Sequence, residues 1–424
     1  MGKILQLGID LFYKNDLVQT KRSVFSNKKE KRKRTMKKGI VLAVGLIAGL
    51  FFLLTGLPQA QAADVVKIGV LGPMTGGAAP VGVDMLRGIK IAAQEVNDRG
   101  GVNVGGKKYK VELVDMDDGA VVANAVANAR RMVSLHKTPV VIGPPISSCA
   151  LAVLEFNDKT KKPGTDFLVV TMAMHPKITS SGNQLIVRTN TPSKQMGVQF
   201  AGGLIKLKKP KSVAIIYHTD DWGLTWKEGL EETAIKNGVK IVDAEGIDER
   251  KQTDFYVQLT KIVNAKPDAV FMIAHDAVTA MMVKQIREIG YKGRLVFSEG
   301  FGDDGRKLVP DKLEGCLWPA TAIDFNMPSA QRYHKMSAKI YDTPSNKQYG
   351  PHAYDQLRFI IAAMEKAQSV TDPYAIRAAF PAITAKPMPN AILKFGQTDG
   401  SGHTMVYYLI AEQKGDKVVE ATQE

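Results

Sequence analysis

The sequence predicts an α/β protein built from two doubly wound, Rossmann-like lobes. Three observations carry that expectation. Four short β-branched runs alternate with helical patterns between residues 65 and 171, which implies a parallel sheet covered by helices on both faces. The same alternation restarts at residue 212 and continues to 298, so a second lobe of similar size follows the first. The composition, 45% hydrophobic and 23% charged over 424 residues, is that of a globular chain long enough for two or three cores. It excludes a disordered chain, a disulfide-stapled miniprotein and a collagen-like fibre.

Taken in order, residues 65–71 (VVKIGVL) form a continuous apolar strand, and 85–99 form a helix stopped by Gly100-Gly101. Strand 109–115, helix 121–134, strand 140–143, helix 149–162 and strand 167–171 complete the first series. A polar stretch at 189–193 separates it from strand 212–217, helix 224–237, strand 240–244, helix 255–264, strand 269–273, helix 278–289 and strand 295–298. A strand-like piece at 315–321 precedes helices at 329–341 and 353–367. The chain closes with a hairpin, 405–411 and 417–419, turned at Gly415-Asp416.

The N-terminus reads as an address. Residues 28–38 (KKEKRKRTMKK) are strongly basic, 39–57 carry no charge, and a small-x-small cleavage signal follows at Ala60-Gln61-Ala62. Residues 36–62 therefore read as a signal peptide cleaved near Ala62, and 1–35 as an overlong extension of the gene before a start at Met36. A retained anchor is the competing reading, because 19 uncharged residues nearly span a bilayer. Pro58 and the alanine pair favour removal. The net charge of +15 is concentrated here: residues 1–62 hold 12 basic and 3 acidic residues, leaving 45 and 39 for the rest. That mild surplus implies no nucleic-acid partner.

Catalytic and cofactor motifs are missing from the sequence. The glycines at 69, 72, 76 and 77 lack the G-x-G-x-x-G spacing, and Pro73 removes an amide where phosphate would be held. The seven histidines form no metal-ligand pattern, and there is no G-x-S-x-G elbow. The expectation is no enzyme, no metal and no cofactor. Asp115, Asp117 and Asp118 form an acidic group that reads as a loop or helix cap, with paired-carboxylate catalysis as the alternative. Cys149 and Cys316 lack a spacing motif and read as small buried hydrophobes, although an oxidising compartment permits a disulfide. Ligands of open parallel sheets sit beyond the carboxyl ends of the strands. Those positions hold Met74-Thr75, Pro144 to Cys149 (PPISSC), Met172-Ala173-Met174, His218 to Trp222, His275-Asp276 and Glu299. Ser147 and Ser148 fall at a helix start, where free N–H groups and a hydroxyl suit a ligand carboxylate, or where the serine simply caps the helix.

Residues 65–88 (VVKIGVLGPMTGGAAPVGVDMLRG), the AAQEVNDRGGV run, 141–150 and YGPHAYDQL resemble the periplasmic Leu/Ile/Val-binding proteins, the type I solute-binding proteins of ABC importers. The likeness spans nearly all of 65–415. It implies two lobes joined by a three-stranded hinge near 188–190, 319–321 and 392–394, with lobe I at 65–189 plus 321–392 and lobe II at 190–320 plus 393–424. It further implies a periplasmic monomer that traps a small molecule by hinge closure and delivers it to a membrane permease. A ligand-sensing receptor of the same fold and a secreted α/β hydrolase acting through Ser147 or Ser148 are the alternatives. By the same resemblance Ser147 would bind the ligand carboxylate, Glu299 its ammonium, and Trp222 and His275 would be aromatic walls. Met174 stands where the family has a threonine, in a Met172-Ala173-Met174 run, and Val81 stands where an aromatic is often found. The family's frequent disulfide positions fall at Ala120 and Ile146, so that bridge cannot form. Loss of the threonine hydroxyl weakens the case for an α-amino acid, whereas Glu299 argues for one. The ligand is expected to be a small acid with a hydrophobic body, either an amino acid or an aliphatic or aromatic carboxylate.

Overall fold

In the computed structural model, which describes residues 64–157, 166–249, 251–321, 324–341 and 348–422, the two expected series each build a sheet. The expected N-terminal extension, signal peptide and cleavage site lie outside the described residues. The helix expected at 149–162 is shorter, Ser147–Leu154, with its C-cap at Glu155. Among the described residues no helix is long and apolar enough to cross a membrane.

The first sheet has the order β2-β3-β1-β4-β5-β6, from strands β1 (Asp64–Gly72), β2 (Val102–Val104), β3 (Lys107–Asp117), β4 (Val140–Ile142), β5 (Leu168–Thr171) and β6 (Ile186–Arg188). All its pairings are parallel except β2 with β3. The connecting helices are α1 (Ala79–Asp98), α2 (Val122–Ser134), α3 (Ser147–Leu154) and the short α4 (Lys177–Ser180). Ile68 and Val70 are fully buried on one face of β1, while Leu71 packs on the other. Burial on both faces is why this strand reads as a continuous apolar run.

The second sheet has the order β13-β12-β11-β10-β9-β7-β8. Its parallel part comprises β7 (Ser212–His218), β8 (Lys240–Ile247), β9 (Ala269–Ile273), β10 (Arg294–Phe297) and β11 (Leu317–Ala320), to which β12 (Leu409–Lys414) and β13 (Lys417–Glu420) add an antiparallel edge. Its helices are α5 (Ser193–Lys208), α6 (Asp221–Lys236), α7 (Tyr256–Asn264), α8 (Asp276–Glu288) and α9 (Asp303–Lys307). Helices α10 (Pro328–Tyr341), α11 (Tyr349–Ala367) and α12 (Pro373–Thr384) return to the first sheet, where Tyr333, Leu357 and Phe380 join its core.

The chain therefore passes between the sheets three times: after β6, after β11, and between Phe395 and Leu409. The first and third passages lie side by side, with Arg188 N donating to Gly402 O at 2.8 Å and Thr404 N to Arg188 O at 2.7 Å. Helix α11 grips the first passage and the segment that leads into the third. His352 Nε2 meets Thr189 O at 2.6 Å, and Asp355 accepts from the amides of Ile392 at 2.8 Å and Leu393 at 3.0 Å. Burial raises Asp355 to about 7, although those amides favour its charged form.

Several elements differ from the expectation. Helix α1 starts six residues before position 85, because Pro80 sits in its first turn, where a missing N–H costs nothing. Strands β2 and β6 are three residues each and too short to show a period. Helix α5 went unread because Gly197, Gly202 and Gly203 interrupt its pattern. At Gly197 the interruption is a packing requirement: a Cβ there would lie 2.1 Å from Trp226 O on α6. The expected strand from 405 begins at Leu409, the preceding residues being part of the third passage.

Helices α1 and α11 approach equally closely, since a Cβ on Gly88 would lie 1.8 Å from Gly350 O. Backbone cannot yield as a side chain can. Gly88→Ala is expected to cost about 3 kcal/mol or more, read as a lower urea midpoint at unchanged slope.

Candidate functional site

At the carboxyl ends of the strands, a cavity of about 60 Å³ lies between the sheets. One wall comes from the first sheet and its helices: Val81 of α1, Pro145, Ile146, Ser147, Met172 and Met174. The opposite wall comes from the second: Asp220, Trp222, His275 and Glu299. Asn190, Gln348, Tyr349, His352 and Tyr408 close the sides.

Ser147 opens α3, whose N-cap is Ile146, a residue with no side-chain oxygen. The capping role is therefore unused. The first amides of the helix have no intrahelical acceptor and carry its positive end toward the cavity. Among the described residues, Ser147 Oγ accepts from the His175 backbone N–H, at 3.3 Å. Ser148 lies outside the cavity lining and hydrogen-bonds with Cys149, whose thiol burial pushes up to about 12. Ala173 is likewise absent from the lining, packing into the core of the first sheet with its N–H on Thr171 Oγ1 at 3.0 Å. Met172 and Met174 line the cavity, whereas Ala173 between them does not.

Glu299 follows β10 and is 7% exposed. Its two oxygens accept from the indole N–H groups of Trp222 at 2.8 Å and Trp226 at 2.9 Å. These tryptophans stand one turn apart on α6, so one carboxylate bridges them. Burial raises the Glu299 carboxyl above its ordinary range, while the indole bonds pull it back. Each oxygen keeps a further lone pair for a ligand cation.

The Trp222 ring packs on His275 with centroids 4.8 Å apart and planes at 32°. Behind it, Glu249 Oε1 lies 2.5 Å from His275 Nδ1, and Glu249 Oε2 accepts from the His275 backbone N–H at 3.0 Å. Burial disfavours both charges, yet their attraction outweighs it. His275 is raised to about 9 and Glu249 lowered to about 2. The histidine's contribution to stability is full below pH 6.5 and lost as pH rises through 9; the glutamate's is full above 4.5 and lost as pH falls through 2. The pair thus stabilises most between about 4.5 and 6.5. The difference in unfolding free energy between wild type and His275→Phe/Glu249→Gln is expected to be largest near pH 5.5 and to shrink toward pH 9, as urea titrations would show.

A hydrolase would require an imidazole against Ser147. His175 instead offers Ser147 its backbone N–H, while its ring Nδ1 accepts from Lys177 N at 3.1 Å. The acidic group at the end of β3 fastens loops: Asp117 accepts from Met74 N at 2.7 Å, Thr75 Oγ1 at 2.6 Å and Gly119 N at 2.8 Å. Cys149 and Cys316 are free and buried in different cores. Asn190 escaped the sequence reading because the short strand before it, β6, was not read, and Gln348, Tyr349, His352 and Tyr408 because they follow no strand end. They come from the passages between sheets and the start of α11, within or beside the YGPHAYDQL segment.

Comparison with known proteins places this geometry in context. A family described as "Periplasmic binding protein" matches residues 65–417. An "Amino acid binding protein" of Pseudomonas aeruginosa is 32% identical over 274 residues, 64% of this chain and 68% of the relative. A "Leucine-, isoleucine-, valine-, threonine-, and alanine-binding protein" of the same organism is 26% identical over 367 residues, 83% of this chain and 90% of the relative. Among solved structures, a solute-binding protein of an ABC transporter from R. palustris in complex with benzoate superposes with a TM-score of 0.71, at 18% identity, over 85% of this chain and 96% of that one.

Proposed function

The chain belongs to the periplasmic binding protein family, and from that premise we propose that it is the solute-binding component of an ABC importer, gripping a small hydrophobic amino acid or related organic acid between two lobes. One observation carries the reading: a small cavity bounded by a helix start and Ser147 on one side and by Glu299 with its tryptophans on the other. The α3 amides and the Ser147 hydroxyl would receive the ligand carboxylate. Glu299 would take an ammonium group where the ligand has one, and Met172, Met174 and Trp222 would hold its apolar body. Because the walls come from different sheets, the ligand bridges them, and its binding energy favours the closed arrangement.

The lobes of this reading are 65–189 plus 321–392 and 190–320 plus 393–424, moving about the three passages. The protein would be exported with its signal removed near Ala62 and would act in the periplasm as a monomer that delivers solute to an ABC permease. The amino-acid-binding names of its relatives and the benzoate complex of its structural neighbour support both branches of the ligand class.

The test is a thermal-shift panel of hydrophobic amino acids, fatty acids and aromatic acids. A ligand at a hundred times its Kd adds about 2.7 kcal/mol of stability. A panel in which no small acid stabilises the protein would refute the proposal.

A further inference from the structure

We propose that His275 sets the ligand class: its Nε2 atom receives a neutral oxygen acceptor, a hydroxyl, carbonyl or carboxamide, at the end of the ligand remote from its carboxylate. This deepens the reading of the cavity as a solute site and rests on it.

The argument begins with how the ring is held. His275 stands immediately before α8, and Glu249 binds both its backbone N–H and its Nδ1. One ring face rests on Trp222. His275 lines the cavity, its Nδ1 edge held by Glu249 and one face by Trp222, and its other nitrogen, Nε2, has no hydrogen-bond partner among the described residues. The Glu249 acceptor fixes the proton on Nδ1, and the charge it induces puts a second proton on Nε2 at neutral pH. The cavity therefore carries an oriented, unanswered donor.

The surrounding charges decide what answers it. Asp220 and Glu299 line the same cavity, Asp276 follows His275 in the chain, and His218 shares Glu249, with its Nε2 3.8 Å from Glu249 Oε1. A second ligand carboxylate would meet Asp220 and Glu299 as like charges. A purely aliphatic end would leave the Nε2 proton desolvated without an acceptor. A neutral oxygen satisfies the donor and avoids both costs. Sites built to hydrogen-bond a ligand group discriminate strongly against the analogue that lacks it.

Calorimetry on the purified protein with two matched pairs tests this: L-glutamine against L-norleucine, and 4-hydroxybenzoate against benzoate. In at least one pair the oxygen-bearing member is expected to bind about 10- to 100-fold more tightly. His275→Phe keeps a ring on Trp222 but has no donor, and should erase that preference. The companion His275→Phe/Glu249→Gln, which leaves no unpaired carboxylate, should do the same while staying folded. Equal or tighter binding of the oxygen-free members, or a preference that survives both variants, overturns the role of His275 and leaves the solute-binding reading standing. No binding by any of the four overturns the ligand class. If the wider acid panel also fails to stabilise the protein, the solute-binding reading falls with it.

Discussion

Glu299→Ala will lower stability by about 2–4 kcal/mol and remove most of the affinity for an ammonium-bearing ligand. The stability loss follows from the two indoles. Trp222 Nε1 and Trp226 Nε1 each donate to one Glu299 oxygen, at 2.8 and 2.9 Å, and truncation leaves both without an acceptor. An orphaned buried donor costs about 1–3 kcal/mol. Trp226 is fully buried and pays in full, whereas Trp222 borders the cavity and recovers part of its loss to water. Glu299→Gln separates the two roles, because it keeps one acceptor oxygen but turns an NH₂ group toward the other indole. It should cost less stability than alanine while still losing the charge that would hold an ammonium. Urea unfolding and calorimetry on both variants check this. A Glu299→Ala protein as stable as wild type would mean that the indole bonds contribute nothing.

Ser147→Ala is the opposite kind of change. Its Oγ accepts a single long bond, 3.3 Å from His175 N, so the folded state should lose little. Binding should weaken by about 1–3 kcal/mol, near ten- to a hundredfold in Kd, because a hydrogen bond to a charged ligand group disappears. The α3 amides remain, which is why affinity should fall rather than vanish. Calorimetry with the tightest panel compound reads the effect, and an unchanged Kd would remove Ser147 from the site. The contrast between the variants is itself informative: one wall supports the fold and the ligand together, the other the ligand alone.

Much of this architecture was legible in the sequence because parallel strands buried on both faces, such as Val213–Ile216 and Ala269–Ile273, read as unbroken apolar runs. What went unread depends on neighbours distant in sequence. The glycines of α5 look like breaks until α6 is laid against them. Strand β6 has three residues and gains its pairing only beside β5. The site divides the same way. Ser147, Trp222, His275 and Glu299 could be found because strand ends of open sheets face ligands. Tyr349, His352 and Tyr408 could not, because they reach the cavity through the third passage and the start of α11, and Asn190 could not because β6, the strand before it, is too short to be read. Ser148 and Ala173, expected at the strand ends, lie outside the cavity lining.

The central claim is that the solute bridges two lobes that close upon it. Small-angle scattering of the protein, titrated with the panel compound that stabilises it most, tests this directly. The account predicts a smaller radius of gyration at saturation, reached at one molecule of ligand per chain. Scattering that stays the same at full occupancy would contradict it.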